Sequence, residues 1–336
     1  MSSPWASVII VNFNAGDFLQ KAVDSVQGQL GVACEIILVD NASTDGSLHA
    51  LKTEHIPNLK TIALPTNIGF AAANNLAAKS AQGEWIALLN PDAIAKPDWL
   101  SAFKSATEAF PKTVMFAGPT LNMTNPDILD GAGDCYFSMG IPWRGGYGRP
   151  SRELPEIGEC FSACGASALI RRDIFLDIGG FDERFFCYCE DVDLGFRLRL
   201  EGHRCIFWPD AVALHFGSGT TSVASDFAIR HGTRNRLWTF VKNMPPLGLA
   251  LSLPIHLLLT FALLIRAYSV GRGASTWQGL KEGFAGLGPV WKSRKQVQKR
   301  RKLSTWQIWR AMSWRWRRVR HRLVHVSPVE KPPPRP

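Results

Sequence analysis

Apolar residues gather early in the chain into short runs rich in Val, Ile and Leu, separated by stretches with helical spacing. Residues 6–12 (ASVIIVN) and 35–40 (EIILVD) are almost continuously apolar, the pattern of strands buried on both faces of a parallel sheet. Residues 59–63 and 84–89 (EWIALL) read as two further strands. Between them, residues 17–29 place Phe18, Ala22 and Val26 on one side of a helix, and a short helix runs to about Thr53. An alanine-rich helix opens at Asn67-Ile68-Gly69-Phe70 and continues to Ser80. This alternation predicts an α/β fold: a doubly wound, mostly parallel, Rossmann-like sheet whose ligands sit beyond the carboxyl ends of the strands. Three polar turns stand at such ends: residues 12–16 (NFNAG), 41–47 (NASTDGS) and 90–92 (NPD).

From 119 to 159 the pattern dissolves into Gly, Pro, Asp and aromatics, including Trp143, Tyr147 and Arg149. Such a length without periodicity predicts a substrate-facing insert or a flexible lid. Order resumes at 161–172, and Gly165-Ala166-Ser167 permits close backbone approach. Adjacent carboxylates, Glu190 and Asp191, then open a helix that stops at Gly202, followed by a strand over 204–208 and by His215 in a turn. A carboxylate at a helix start is ordinarily a cap, worth ~1 kcal/mol. Asp193 reads as a capping or salt-bridging residue. Residues 226–242 carry Arg230, Arg234 and Arg236 at helical spacing, within reach of an anionic ligand or simply solvated.

Charge changes the picture of the remainder. The net charge of +10 hides a split: residues 1–240 hold 26 acids and 19 bases, whereas 241–336 hold 19 bases and only Glu282 and Glu330. A mildly acidic body therefore carries a strongly basic tail. Residues 247–265 form 19 positions without a formal charge, at the short limit for a membrane span. Basic residues flank both sides and Pro254 interrupts the middle, which favours a re-entrant hairpin or an in-plane helix. Ile308, Met312, Trp316, Val319 and Leu323 fall on one helical face among arginines, the composition of a helix lying on anionic lipid. The expected organisation is a catalytic domain (1–244), an apolar membrane-associated segment (245–290), and a basic amphipathic helix with a disordered Pro-rich end (291–336). No basic leader precedes the first strand, and the seven cysteines read as reduced thiols.

These pieces together resemble the family 2 glycosyltransferases of the GT-A fold, most nearly the bacterial rhamnosyltransferases of cell-surface polysaccharide assembly. The likeness rests on residues 11–14 (VNFN), 39–47 (VDNASTDGS), 67–71 (NIGFA), 89–92 (LNPD), 180–183 (GFDE) and 190–194 (EDVDL), in the family's order over about 6–240. It implies that Asp40 meets the nucleotide, with Asn12, Asn41, Asp45, Asn67, Gly69, Asn90 and Asp92 shaping the nucleotide-sugar site. It implies Asp92 and His215 as ligands of Mg²⁺ or Mn²⁺, although Asn90 replaces the first Asp of the family's DxD motif. Asp191 matches the general base, and Glu190, with Gly165 and Ala166, the acceptor side.

The chemistry suits those residue types. A diphosphate leaving group gains negative charge that a divalent cation neutralises, using one or two protein ligands. An attacking hydroxyl must lose a proton to a carboxylate on the opposite face, and an adjacent Glu190 would raise the proton affinity of Asp191. The expected activity is inverting transfer of rhamnose from dTDP-rhamnose, or of another dTDP- or UDP-sugar. The acceptor would be lipid-linked or a polysaccharide, and the enzyme would lie on the cytoplasmic face of a bacterial inner membrane. Asp40, Asp92 and Asp191 are expected to line one cleft. Two alternatives stand beside this: a nucleotidyltransferase, which would want a cation in the 12–16 turn, and a nucleic-acid binder acting through the Arg/Trp tail. The apolar run and the acidic body favour lipid over nucleic acid.

Overall fold

The computed structural model describes residues 3–54, 56–217 and 225–330. The first part follows the apolar pattern: β1 (Ala6–Asn12), α1 (Phe18–Gln27), β2 (Cys34–Asp40), α2 (Ser47–Ala50), β3 (Leu59–Ala63), α3 (Gly69–Ser80) and β4 (Trp85–Leu89). Next come β5 (Ala93–Ala95), α4 (Trp99–Ala109), β6 (Met115–Ala117), β7 (Thr120–Asn122), β8 (Leu129–Gly131), β9 (Asp134–Phe137), β10 (Ile141–Arg144) and β11 (Gly158–Cys160). The centre continues with β12 (Ser167–Arg171), α5 (Arg172–Asp177), α6 (Glu190–Leu200), β13 (Cys205–Phe207), β14 (Ala213–His215) and α7 (Asp226–Asn243). The C-terminal part holds α8 (Pro246–Ser269), α9 (Gly273–Ala285), α10 (Leu287–Arg300), α11 (Thr305–Arg310), α12 (Trp316–Arg320) and β15 (Ser327–Pro328).

The main sheet runs β15-β11-β13-β6-β12-β4-β1-β2-β3. Its β4-β1-β2-β3 half is parallel, as continuous burial of β1 and β4 demands. The other half is mixed, because β12 runs antiparallel to both β4 and β6. "Mostly parallel" is therefore corrected to a parallel half joined to a mixed half. Apolar cores cover both faces, one built around Trp99 and Phe103, the other around Phe175 and Phe207.

The stretch 119–159 is no lid. It folds into β7 and β8, which join β5 and β14 in a small second sheet, and into the β9–β10 hairpin, whose residues are largely buried. Strands of three or four residues are too short for alternation to register, which is why the sequence looked patternless. His215 likewise ends a strand rather than sitting in a turn, since β14 pairs with both β5 and β7.

Beyond residue 244 the chain packs onto what precedes it. Arg294 donates to the carbonyls of Val241 (2.8 Å) and Met244 (2.5 Å), and Ile308, Trp309 and Met312 share a core with Phe196, Leu200 and Phe240. The single amphipathic helix read from residues 308–323 is replaced by α11 and α12, with Ile308 and Met312 turned into the protein. Residues 331–336, where the Pro-rich end was placed, lie outside the described residues. α8 is one continuous helix despite Pro254, and its polarity is inverted: Ser252, His256 and Thr260 face the protein, while Leu251, Leu258, Phe261 and Ile265 are exposed.

Candidate active site

A cavity of about 410 Å³ opens beyond the carboxyl ends of β1, β2 and β4, a size suited to a small-molecule ligand. Of the residues singled out from sequence, Asn41, Asn67, Gly69, Asn90, Asp92 and His215 line it. Asn41 Oδ1 accepts from the Ile68 N–H (2.8 Å) and Asn67 Oδ1 from that of Gly69 (2.9 Å), fixing the entry to α3. Gly69 is required by sterics as well as by its φ of +86°: a Cβ there would lie 2.6 Å from the Phe186 ring.

Asn12, Asp40 and Asp45 are not in the wall. Asn12 is fully buried, and its amide lies within hydrogen-bond distance of Asp40 Oδ1 (2.7 Å), Ser43 Oγ (3.0 Å) and Ser47 Oγ (2.9 Å). Asp40 also accepts from the Ser43 N–H (3.1 Å), and exposed Asp45 ties the Gly16 N–H (2.8 Å) to Ser47. These three residues splice the ends of β1 and β2 together and so hold the neighbouring wall in place.

On the β4 side, Asp92 Oδ1 lies 3.2 Å from His215 Nε2, and the Asn90 amide 3.1 Å from the same nitrogen. His215 Nδ1 is 2.7 Å from Asp130 Oδ2, an acceptor that places the proton on Nδ1 in the neutral ring and turns the Nε2 lone pair toward the cavity. Burial opposes a charged His215 ring, but Asp130 and Asp92 outweigh it and push its pKa up to about 9. Burial also acts upward on Asp130, yet Arg144 and His215 bring it down to about 2. A carboxylate oxygen and an imidazole nitrogen aimed at one point fit a divalent cation.

Asp191 adjoins the cavity next to its Phe70 wall. Its carboxylate accepts from the backbone N–H groups of Gly165 (3.1 Å) and Val192 (2.8 Å). Gly165 stands behind Phe70 of the cavity wall, and a Cβ there would come within 3.1 Å of that ring. Asp191 is half-buried next to the wall, whereas Glu190 is buried with Oε2 unpartnered, and Ala166 is buried in the core. Burial raises the Asp191 pKa against those N–H groups and Arg144. Burial and then the Asp191 charge raise Glu190 well above the carboxylate range. Thus, of the three carboxylates expected to share a cleft, Asp92 lines it, Asp191 adjoins it, and Asp40 braces it from behind.

Sequence reading missed Asp130, Asp134 and Arg144, all within the supposed lid. Arg144 lines the cavity and is paired to Asp130 at 2.9 Å. Asp134, Cys164 and Asp191 bring ligand-type atoms within 4.8 Å of one another, but Arg144 already supplies positive charge there, and burial holds the Cys164 thiol protonated. Phe186, Cys187 and Tyr188 also line the wall, with φ of +64° at Phe186 and +72° at Tyr188. Backbone strain of roughly 1–3 kcal/mol at each such residue is typical of functional loops. The signal invisible in sequence was this strained approach to α6. Arg234 and Arg236, also considered for an anion, are spent elsewhere: Arg234 donates to the Phe185 carbonyl (2.8 Å) and Arg236 to Thr260 (3.2 Å).

Comparison with known proteins converges on one family. The model of glycosyl transferase family 2 matches residues 7–179. The chain is 28% identical over 250 residues to an N-acetylglucosaminyl-diphospho-decaprenol L-rhamnosyltransferase of Mycobacterium tuberculosis, covering 67% of this chain and 80% of that one. It is 27% identical over 226 residues to the rhamnosyltransferase WbbL of Escherichia coli, covering 62% and 82%. Among solved structures, a mannosyltransferase of Pyrobaculum calidifontis in complex with GDP-Man and Mn²⁺ superposes with a TM-score of 0.53. It has 18% identity and covers 89% of this chain and 86% of its own, a likeness of fold.

Proposed function

The chain belongs to glycosyl transferase family 2, and on that premise we propose that it is an inverting, metal-assisted glycosyltransferase of cell-envelope glycan synthesis. The donor is dTDP-rhamnose and the acceptor a hydroxyl of a lipid-linked or polysaccharide glycan, with a diphospho-polyprenol-linked N-acetylglucosamine the first candidate. The names of the rhamnosyltransferase relatives support the sugar and the lipid. The observation that carries the reading is a cavity beyond the strand ends with Asp92–His215 in its wall and the shielded carboxylate of Asp191 adjoining that wall next to Phe70.

Asn41, Asn67 and Gly69 shape the nucleotide side of the cavity. Asp92 Oδ1 and His215 Nε2 would hold Mg²⁺ or Mn²⁺, and such an ion supplies neutralisation of the leaving diphosphate. Asp130 keeps His215 turned for that task. Next to the Phe70 wall the acceptor O–H gives its proton to an Asp191 oxygen while the acceptor oxygen bonds the anomeric carbon. The bond from that carbon to the diphosphate oxygen breaks with its electron pair, and the configuration inverts.

The inverted polarity of α8 supports placing the enzyme on an anionic lipid surface at the cytoplasmic face of a bacterial inner membrane. A polar stripe packs on the protein: His256 stacks on Phe240 at 4.1 Å and its Nδ1–H donates to the Met139 carbonyl, 2.9 Å away. The apolar stripe is left outward, and the same C-terminal part exposes Trp277 and Trp291 and the basic Arg266, Arg272 and Lys281. The polar stripe bound to the protein supports an in-plane arrangement over a span.

The test is transfer by the purified full chain from dTDP-rhamnose, UDP-N-acetylglucosamine or GDP-mannose, with Mn²⁺ or with EDTA, read by mass spectrometry of the acceptor lipid. Rhamnose transfer that needs the metal and vanishes in Asp191→Asn is the expected result. Turnover by Asp191→Asn near that of the native chain would refute the assignment.

A further inference from the structure

A carboxylate that is to take a proton must first be ionised, and Asp191 is poorly placed for that. Burial raises its proton affinity, and the titratable groups around it are two carboxyls and three thiols that burial keeps protonated, with one cation. From its own helix comes Glu190, from β9 Asp134, from the turn before β12 Cys164, and from the loop before α6 Cys187 and Cys189. Asp134 is buried, with Oδ2 unpartnered. From β10 comes the cation of the set, Arg144, which is also the Lys or Arg among the described residues lining the cavity.

The position of Arg144 is fixed on several sides. Its backbone is in register with Asp134 across the β9–β10 hairpin. Its Nη1 meets Asp130 Oδ2 at 2.9 Å, and Asp130 is held in turn by Thr120 Oγ1 (2.9 Å) and His215 Nδ1 (2.7 Å). Its aliphatic stem lies over Gly131, where a Cβ would come within 2.9 Å of Cγ and Cδ. A guanidinium so tethered is held at the cavity wall although its side chain is 30% exposed, and its hairpin partner Asp134 brings a carboxylate oxygen within 4.8 Å of one of Asp191.

We propose that Arg144 is a positioning residue for transfer: its guanidinium, tethered by Asp130, is the positive charge that faces Asp191 and readies that carboxylate to take the acceptor's proton. This rests on Asp191 being the base. It also gives the residue 119–159 insert a task, since that insert supplies both the cation and its tether. Through Asp130, the same tether reaches the histidine in the cavity wall.

The test follows the Asp191 carboxyl directly in full-length protein labelled with ¹³Cγ-aspartate, its resonance identified by loss in Asp191→Asn. An opposite charge within about 4–6 Å lowers a carboxylate midpoint by about 1–3 pH units, so its removal raises the midpoint by about one pH unit or more. Arg144→Gln should therefore move the Asp191 midpoint upward by that amount, and Arg144→Lys by less. The acidic limb of kcat for rhamnosyl transfer should shift with it, while donor KM stays near native. An unmoved midpoint in folded Arg144→Gln overturns the proposal. So does a raised donor KM with an unmoved limb, which would make Arg144 a donor ligand. If Arg144→Gln does not fold, the midpoint in Arg144→Lys decides by the same rule. If no donor is turned over, the activity assignment fails, and the resonance still decides the role of Arg144.

Discussion

Two aspartates two positions apart on α6 should respond to substitution in opposite ways. Asp193 is fully buried and accepts from Arg197 Nε (2.8 Å), Lys242 Nζ (2.9 Å) and Asn243 Nδ2 (2.8 Å). Burial acts upward on its pKa, but Lys242 and then Arg197 outweigh it and hold the carboxyl below its ordinary value. Breaking a buried charge pair by removing one partner costs about 3–5 kcal/mol. Here Lys242 keeps Asp182 at 2.7 Å, and Arg197 keeps the carbonyls of Ile178 (3.0 Å) and Gly180 (2.7 Å), which puts Asp193→Ala near the lower end of that range. A loss of ~3 kcal/mol is on the order of a hundredfold in the folded-to-unfolded ratio. Urea titration at neutral pH should show it as a lower midpoint at unchanged slope. Because the folded pKa is depressed, this stability is present above the unfolded value of about 4 and is lost as pH falls through the folded one. The native and Asp193→Ala curves should therefore converge on acidification. Asp191 differs in sign: its raised pKa makes the ionised form costly to hold, so Asp191→Asn should be neutral or stabilising at pH 7 while abolishing turnover. A change for Asp193→Ala within ~0.5 kcal/mol, the range of ordinary surface substitutions, would refute this account of α6. So would a gap that persists at acidic pH.

Metal affinity should depend on pH through His215. With its pKa pushed up to about 9 by Asp130 and Asp92 against burial, the metal-free ring holds a proton that a cation must displace. Mn²⁺ affinity should then rise about tenfold per pH unit from neutrality until it levels near that value, as calorimetry can measure; a flat profile would remove His215 from the ligand set. The lipid surface is tested by Leu258→Glu combined with Phe261→Glu, two exposed positions on α8. Each buried apolar side chain is worth roughly 1.5–3 kcal/mol, so the pair should weaken sedimentation with anionic vesicles by on the order of a hundredfold or more and leave donor binding intact. Sedimentation equal to that of the native chain would sink the in-plane reading of α8.

The sequence by itself determined the β1-to-β4 half of the sheet, the polar turns at its carboxyl ends, and the adjacent carboxylates that open α6. Those features are local: a strand buried on both faces must be apolar throughout, and the turns that follow must be built from capping residues. Only the tertiary structure decided the rest. Asp130, Asp134 and Arg144 sit on strands of three or four residues, too short for any period, and meet because hairpins fold back across the cavity. His215 became a strand residue because β5 and β7 were there to pair with it. Asp40, a plausible ligand by motif, was drawn inward by Asn12. The apolar run of α8 gave no hint that its few polar side chains would face the protein, and Ile308 and Met312 found a core where the sequence suggested a lipid surface. In each case the outcome depended on a partner distant in the chain, and periodicity within one segment holds no record of it.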